Sequence, residues 1–216
     1  MMRVVLFLLP LALAAQTKVS IDNDRVRILT ALDRPHQPTA LHKHDSNRVM
    51  IYLDDGQQDI SVPDAPVEHH QWKAGEVVWS PGGPQHVSEN VGTADLHIVE
   101  IEIKQPGPST PPARKRNLDP LAIDTSHNKL IFENDQVRVF RSTGEAGGRE
   151  KWHEHAGAGR AVVLLSPLAA RIESANGQIS PMSGARGDSF WTPGYIKHRA
   201  SNIGTKPYEL VVIEVK

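Results

Sequence analysis

The chain repeats itself. Asn23-Asp24-Arg25-Val26-Arg27 returns as Asn134-Asp135-Gln136-Val137-Arg138 at an offset of 111, and His42-Lys43-His44 returns as His153-Glu154-His155 at the same offset. Gly75, Trp79, Pro81, His86 and Asn90 then match Gly187, Trp191, Pro193, His198 and Asn202 at 112, as do Ile101-Glu102-Ile103-Lys104 and Ile213-Glu214-Val215-Lys216. One residue inserted just after the second His-x-His pair accounts for the change of offset. Chance similarity does not hold so constant a spacing, so the chain is two copies of one unit. Residues 17–104 form the first domain and residues 121–216 the second.

Within each copy the elements read as short strands. Residues 25–32, 48–53, 76–80 and 95–104 are rich in Val, Ile, Trp and Tyr, and Asp54-Asp55-Gly56, Pro81-Gly82-Gly83-Pro84 and Asn90-Val91-Gly92 punctuate them. The second copy repeats the pattern at 161–165, 188–192 and 208–215. No window shows a helical period. Short strands at regular spacing predict an all-β sandwich or barrel in each half. Residues 105–120 carry Pro106, Pro108, Pro111, Pro112 and Pro120, a spacing that reads as an extended linker, with Arg114-Lys115-Arg116 as solvated charge inside it.

At the N-terminus, Arg3 precedes an apolar run over 4–15 that ends Ala12-Leu13-Ala14-Ala15-Gln16. A basic start, a short apolar stretch and small residues at a cleavage site predict a secretory signal peptide over residues 1–15 and an exported product, periplasmic or secreted. The run is shorter than the roughly 20 residues that a membrane span needs, and no membrane association is expected after cleavage. The 24 Lys and Arg against 25 Asp and Glu, a net charge of −1, argue against a nucleic-acid partner, which needs a concentrated basic surface. With no cysteine, disulfides, zinc ribbons and thiol nucleophiles are excluded. There is no Gly-x-Ser-x-Gly elbow, phosphate-cradling glycine loop or His-Glu-x-x-His helix.

What the composition has in excess is histidine, 11 in all. In a strand, alternate side chains share a face, so His42 and His44 project together, as do His153 and His155. Two imidazoles rarely suffice for a metal. The third candidates, His86 and His198, each follow a Gly-Pro-rich turn that can fold the next strand back over the pair. Two copies, each with a third histidine at the equivalent place, make the expected sites His42, His44 and His86, and His153, His155 and His198. The ion would be a divalent transition metal (Fe, Mn, Ni, Zn or Cu). The alternative is a pair of vestigial or structural clusters.

These residues resemble the cupin superfamily, which is marked by Gly-x5-His-x-His-x3,4-Glu-x6-Gly followed by Gly-x5-Pro-x-Gly-x2-His-x3-Asn. Gly75, Pro81, Gly83, His86 and Asn90 match the second motif in full. Gly187, Pro193, His198 and Asn202 match it in the later copy, where Tyr195 replaces the inner glycine. For the first motif, Gly147, His153 and His155 fit, while His36 stands where the first copy should open with glycine. The resemblance covers nearly all of the mature chain. It implies a bicupin, two tandem jelly-roll barrels each with a metal pocket in its mouth, and activities of the dioxygenase, isomerase or decarboxylase kind without choosing among them.

The family's ligand glutamate falls at Arg48 or Val49 in the first copy and at Gly159 or Arg160 in the second. None of these binds a metal, which leaves three-histidine sites. An arginine pointing inward at about 5 Å would repel a unit charge by roughly 3 kcal/mol at an effective dielectric near 20, and a divalent ion by twice that. Either the arginine turns outward into a surface ion pair, or a small anion sits between it and the metal. Arg48, Arg160, Trp79 and Trp191 are therefore the candidate ligand-binding residues, although a tryptophan on a short strand also suits a barrel core. His36, His69 and His70 have no counterparts in the second copy and read as surface residues, as His97 and His127 read as non-functional. Asp45 is a candidate replacement carboxylate, and Glu154 alternates to the far face.

Three readings follow: an exported metal-binding bicupin that acts on a small anionic compound, a non-catalytic module for a small molecule or metal, or a degenerate scaffold without metal. A homodimer is left open.

Overall fold

The computed structural model describes residues 16–104, 117–194 and 196–216. The predicted signal peptide, linker residues 105–116 and Tyr195 lie outside the described residues. The first half contains β1 (Gln16–Asp22), β2 (Val26–Asp33), β3 (Arg48–Tyr52), β4 (Gly56–Ser61), β5 (Glu68–Trp72), β6 (Val77–Ser80), β7 (Val87–Asn90) and β8 (Leu96–Ile103). After α1 (Pro120–Ile123), the second half contains β9 (Asn128–Glu133), β10 (Val137–Gly144), β11 (Gly159–Leu164), β12 (Leu168–Ser174), β13 (Ile179–Gly184), β14 (Ser189–Pro193), β15 (His198–Asn202) and β16 (Tyr208–Val215).

The duplication is exact at the level of topology. A five-stranded sheet β1-β2-β8-β3-β6 faces a three-stranded sheet β5-β4-β7, and the second half repeats this as β9-β10-β16-β11-β14 with β13-β12-β15. Registers match too: Val26 pairs with Ile103 and Val137 with Val215, and Arg48 pairs with Glu102 and Arg160 with Glu214. Each half is a jelly-roll barrel made of these two antiparallel sheets.

Composition had marked β2, β3, β6 and β8 and their counterparts β11, β14 and β16, all of them strands of the large sheets. The small sheets carry sequences such as Gly56-Gln57-Gln58-Asp59-Ile60-Ser61 and Glu68-His69-His70-Gln71-Trp72, whose polar residues hide the strand pattern. Pro181 sits within β13, which is an edge strand where a missing N–H is tolerated. Among the described residues, the one departure from an all-strand reading is α1. Asp119 caps it by accepting from the Leu121 N–H, and Pro120 takes a first-turn position. One turn is too short to show a helical period.

Alternation in the large sheets decides what each residue faces. In β3, Val49 and Ile51 point one way and Arg48, Met50 and Tyr52 the other; β11 splits Ala161 and Val163 from Arg160, Val162 and Leu164. Val26, Ile28, Val49, Ile51, Val99 and Ile101 pack with Val137, Val139, Val163, Val211, Ile213 and Val215 in one buried cluster. The largest apolar core among the described residues therefore lies between the two large sheets and joins the halves. The opposite faces line the two barrels, as Leu29, Ala31, Met50, Tyr52, Leu96 and Ile98 in the first and Phe140, Val162, Leu164, Leu168, Leu210 and Val212 in the second. Polar ties reinforce the joint: Asn47 Nδ2 donates to Gln136 Oε1 at 2.9 Å, and the Arg186 guanidinium donates to Asp54 Oδ1 at 3.1 Å.

A shared core couples the two folding units. Urea denaturation should show one cooperative transition for both halves, and Ile101→Ala or Ile213→Ala should each cost about 2–5 kcal/mol without splitting it. Two resolved transitions, read from tryptophan fluorescence and circular dichroism, would contradict this coupling.

Candidate metal centres

The histidine pairs are held by an isolated bridge rather than a regular strand. His42 N–H donates to the His86 carbonyl at 3.0 Å, and His86 N–H returns the bond to the His42 carbonyl at 2.8 Å. His153 and His198 make the same reciprocal pair at 2.9 Å in both directions. This bridge lays each His-x-His segment against the start of β7 or β15. The inserted residue of the second copy falls in the turn that follows, where Gly157 has a φ of +101° and a Cβ would collide with the Val215 carbonyl. Only glycine takes that conformation at that approach. The motif asparagines are structural: Asn90 and Asn202 each donate from Nδ2 to nearby backbone carbonyls and accept a backbone N–H at Oδ1, tying the turns that follow.

Three imidazoles converge in each half. Ring centroids are 4.9, 4.5 and 5.5 Å apart for His42–His44, His42–His86 and His44–His86, and 4.9, 4.4 and 5.2 Å for the corresponding pairs of His153, His155 and His198. One ring nitrogen from each member lies within 4.8 Å of the others in both groups. Five of the six Nδ1 atoms are engaged. Those of His42, His86, His153 and His198 bond the carbonyls of Ala40, Pro84, Lys151 and Ile196 at 2.8, 3.2, 2.9 and 2.8 Å. His155 Nδ1 meets Glu214 Oε1 at 2.9 Å, while His44 Nδ1 is 4.0 Å from Glu102 Oε1. A ring whose Nδ1–H is so engaged presents the Nε2 lone pair, the arrangement that orients metal-binding histidines. The donor set thus fits a divalent transition metal.

Burial and positive neighbours favour the neutral form of His44, His86, His155 and His198. Burial first, then the Arg48 guanidinium, pushes His44 down to about 3 from its ordinary value, and burial holds His86 below its own. Burial and then Arg160 push His198 down to about 3 and hold His155 well below the usual range. Neutral imidazole is the form that ligates.

The two arginines point inward. Alternation places Arg48 and Arg160 on the barrel-facing side, and both are buried, at 6% and 7% exposure. The surface-ion-pair reading is therefore corrected. What makes an inward Arg48 tolerable is Glu100, which accepts from Nη1 at 2.8 Å, while Ser80 Oγ accepts from Nη2 at 2.9 Å; Nε has no partner. Arg160 differs. Its Nη2 lies 3.3 Å from His198 Nε2, its Nη1 has no partner, and no carboxylate among the described residues lies within ion-pair distance of it. Desolvation pulls its pKa down to about 10.

Trp79 and Trp191 pack mainly into the core shared by the halves, with Trp79 edge-on to Phe132 at 6.4 Å. Their strand neighbours Ser80 and Phe190 face the barrels instead. Both tryptophans also reach the walls of the two cavities. Asp45 pairs with Lys43 at 2.8 Å on the surface and replaces no ligand. His70, read as a surface residue, instead stacks on Trp72 at 4.9 Å, which stacks on Tyr52 at 3.8 Å, forming a wall of the first cavity. His36 is exposed, with a φ of 56°; His69 pairs with Asp59, His97 with Asp54 and His127 with Asp124.

Residue-by-residue reading missed the carboxylates of the last strands. Glu102 and Glu214 occupy equivalent positions beside the triads, and their identity within the repeated endings was the available signal. Glu150 was also missed: it accepts the Tyr208 hydroxyl at 2.7 Å and the Ala200 N–H at 2.9 Å, and lies 3.8 Å from His153 Nδ1.

Fold and site together define a two-barrel cupin architecture with a histidine triad in each barrel. Among solved structures, the chain is similar to AerE from Microcystis aeruginosa, with a TM-score of 0.68 at 11% identity over 96% of this chain and 95% of that one. It is similar to the Bacillus subtilis oxalate decarboxylase studied for its Mn(II) centres, with a TM-score of 0.64 at 12% identity over 93% and 72%. A cupin 2 conserved barrel domain protein from Leptotrichia buccalis gives 0.56 at 13% identity over 94% and 90%. No family model and no curated protein matches the chain. At these identities the likeness establishes the fold, that of a bicupin.

Two outcomes follow from this geometry. Glu214→Gln should weaken metal binding in the second half about 10- to 100-fold, whereas Glu102→Gln, acting across 4.0 Å, should change the first half less; calorimetric metal titration reads both. In chelator-stripped protein, a histidine pushed down to about 3 takes up its proton more readily in the unfolded chain. Stability is therefore full above the ordinary value near 6.5 and falls as pH drops toward 3. His198 alone should cost about 2 kcal/mol between pH 6.5 and 5, measured by urea denaturation, and His198→Gln should flatten that slope.

Proposed function

We propose that each histidine triad holds one divalent transition metal and that the protein acts on, or captures, a small anionic compound presented to that centre. The observation that carries this reading recurs in both barrels: three converging imidazoles, all but His44 engaged at Nδ1, beside a buried, inward arginine that keeps an unpartnered N–H. His42, His44 and His86 would hold one ion, and His153, His155 and His198 the other. Bound there, the metal supplies Lewis-acid chemistry, polarising a carboxyl or carbonyl oxygen.

The chain's own residues set the rest. Glu214, shared between His155 and Arg138, fixes the ring and lends it basicity. The arginine offers a charge-assisted bond to an oxygen of the anion. His198 Nε2 cannot accept from Arg160 and coordinate an ion with the same lone pair, so metal loading frees Arg160 Nη2 as well as Nη1 for that oxygen. The family glutamate is absent, so anion charge at the metal replaces a carboxylate that the protein does not supply. The apolar N-terminal run supports export, and the protein would then load its metal outside the cytoplasm.

Untagged protein equilibrated with Mn(II), Ni(II) or Zn(II) near neutral pH should bind two equivalents per chain, measured by elemental analysis. His44→Ala and His155→Ala should each reduce this to one. Absence of uptake by the wild-type protein would refute the reading and leave a metal-free scaffold.

A further inference from the structure

The two cavities share an entrance chemistry and differ in their floors. The first is the larger, about 780 Å³ against about 380 Å³. Its floor is polar. Gln58 is buried, donating to Asp33 Oδ2 at 2.9 Å and to Ser88 Oγ at 2.8 Å and accepting from Trp72 Nε1 at 3.0 Å, and Glu100 stands beside Arg48. Strand register gives the counterparts in the second barrel. Ala170 pairs with Asn202 as Gln58 pairs with Asn90, Val212 pairs with Val162 as Glu100 pairs with Met50, and Gly144 pairs with Tyr208 as Asp33 pairs with Leu96. Ser88 becomes Ala200 on the same ladder. Gln58, Asp33, Ser88 and Glu100 thus give way to Ala170, Gly144, Ala200 and Val212, while Ala31 and Leu96 give way to Ser142 and Tyr208.

The second cavity keeps a charged end, and one side of its body is apolar. Phe140, Val162, Leu168, Ala170, Phe190 and Val212 form that side, with the triad and Arg160 at one end, while Ser142, Gln178, Ser180 and Tyr208 also line the cavity. Glu150 also faces it, but both its oxygens are engaged by Tyr208 and Ala200. Arg160 has lost the partner that Glu100 provides to Arg48, because Val212 stands in its place, and its Nη1 is buried without an acceptor. Glu214 and Glu150 act on its charge without bonding it, so the buried N–H without an acceptor is still costly; a carboxylate can accept from it.

Resting on the reading above, we infer that the second barrel takes a monocarboxylate with an uncharged apolar body, its head on Arg160 and the metal side and its body on the floor formed around Val162 and Val212. The first barrel, with Arg48 already neutralised and a polar floor, does not take it. A small dianion such as a dicarboxylate would leave the second floor unfilled and bury a further charge against it.

The test is calorimetric titration of the full, metal-loaded protein with octanoate, acetate and malonate. Octanoate should bind at one equivalent per chain and at least roughly a hundredfold more tightly than acetate, since several methylenes leave water. Arg160→Met and Val212→Glu, the latter restoring the first barrel's internal partner, should each weaken octanoate tenfold or more. Ala200→Ser, a milder change to the same floor, should weaken octanoate and spare acetate, and keeps the test readable should Val212→Glu not fold. Malonate binding as tightly as octanoate, two equal octanoate sites, or a folded Val212→Glu protein with unchanged binding would overturn the inference while leaving an anion site in place. If no carboxylate binds the metal-loaded protein at all, the anion reading falls together with this inference.

Discussion

The face-to-face packing of the two five-stranded sheets governs this molecule. Because strand side chains alternate, committing Val49, Ile51, Val99 and Ile101 to the shared core turns Arg48, Met50, Glu100 and Glu102 into the first barrel. The same commitment of Ala161, Val163, Val211 and Ile213 turns Arg160, Val162, Val212 and Glu214 into the second. Arginines and glutamates on strands that would elsewhere be read as half-exposed are thus interior groups, and there is no register that would return them to solvent without exposing the core. The joint between halves and the chemistry of the sites are two sides of the same sheets.

Interior charge then has to be matched. The first barrel does this internally, with Glu100 on Arg48. The second routes Glu214 to His155 and Arg138, gives Arg138 a second partner in Asp119 at the cap of α1, and leaves Arg160 facing the triad. Duplication preserved the backbone and the imidazoles while the floors diverged, so two histidine triads of nearly the same geometry stand in different surroundings. Glu214 and Glu150 offset the charge of Arg160 without bonding it, and its Nη1 without an acceptor costs stability that a ligand accepting from it recovers as affinity.

Much of this was legible in the sequence because it depends on spacing. The constant offset revealed the duplication, and the matched glycines, prolines and third histidines resembled the cupin motifs because these residues serve turns and ligand geometry that few others can serve. Val- and Ile-rich strands of the large sheets were visible for the same reason. The small-sheet strands were not, since Gln57, Gln58, His69 and His70 carry a polar pattern that suits a cavity wall or a loop equally well. Glu102 and Glu214 were in plain view within the repeated endings, but nothing along the chain says that the eighth strand of each barrel runs beside the His-x-His turn.

The sequence alone determined that there are two like units, that they are built of strands, and that three histidines in each occupy equivalent places. Tertiary structure alone decided which way Arg48 and Arg160 point, that Trp79 and Trp191 stand between the joint and the cavity walls, and which carboxylate answers which arginine. The physical reason is that the period of a strand says which residues share a face but not which face meets a neighbour. That choice is made by long-range packing, and the polarity of each pocket follows from it.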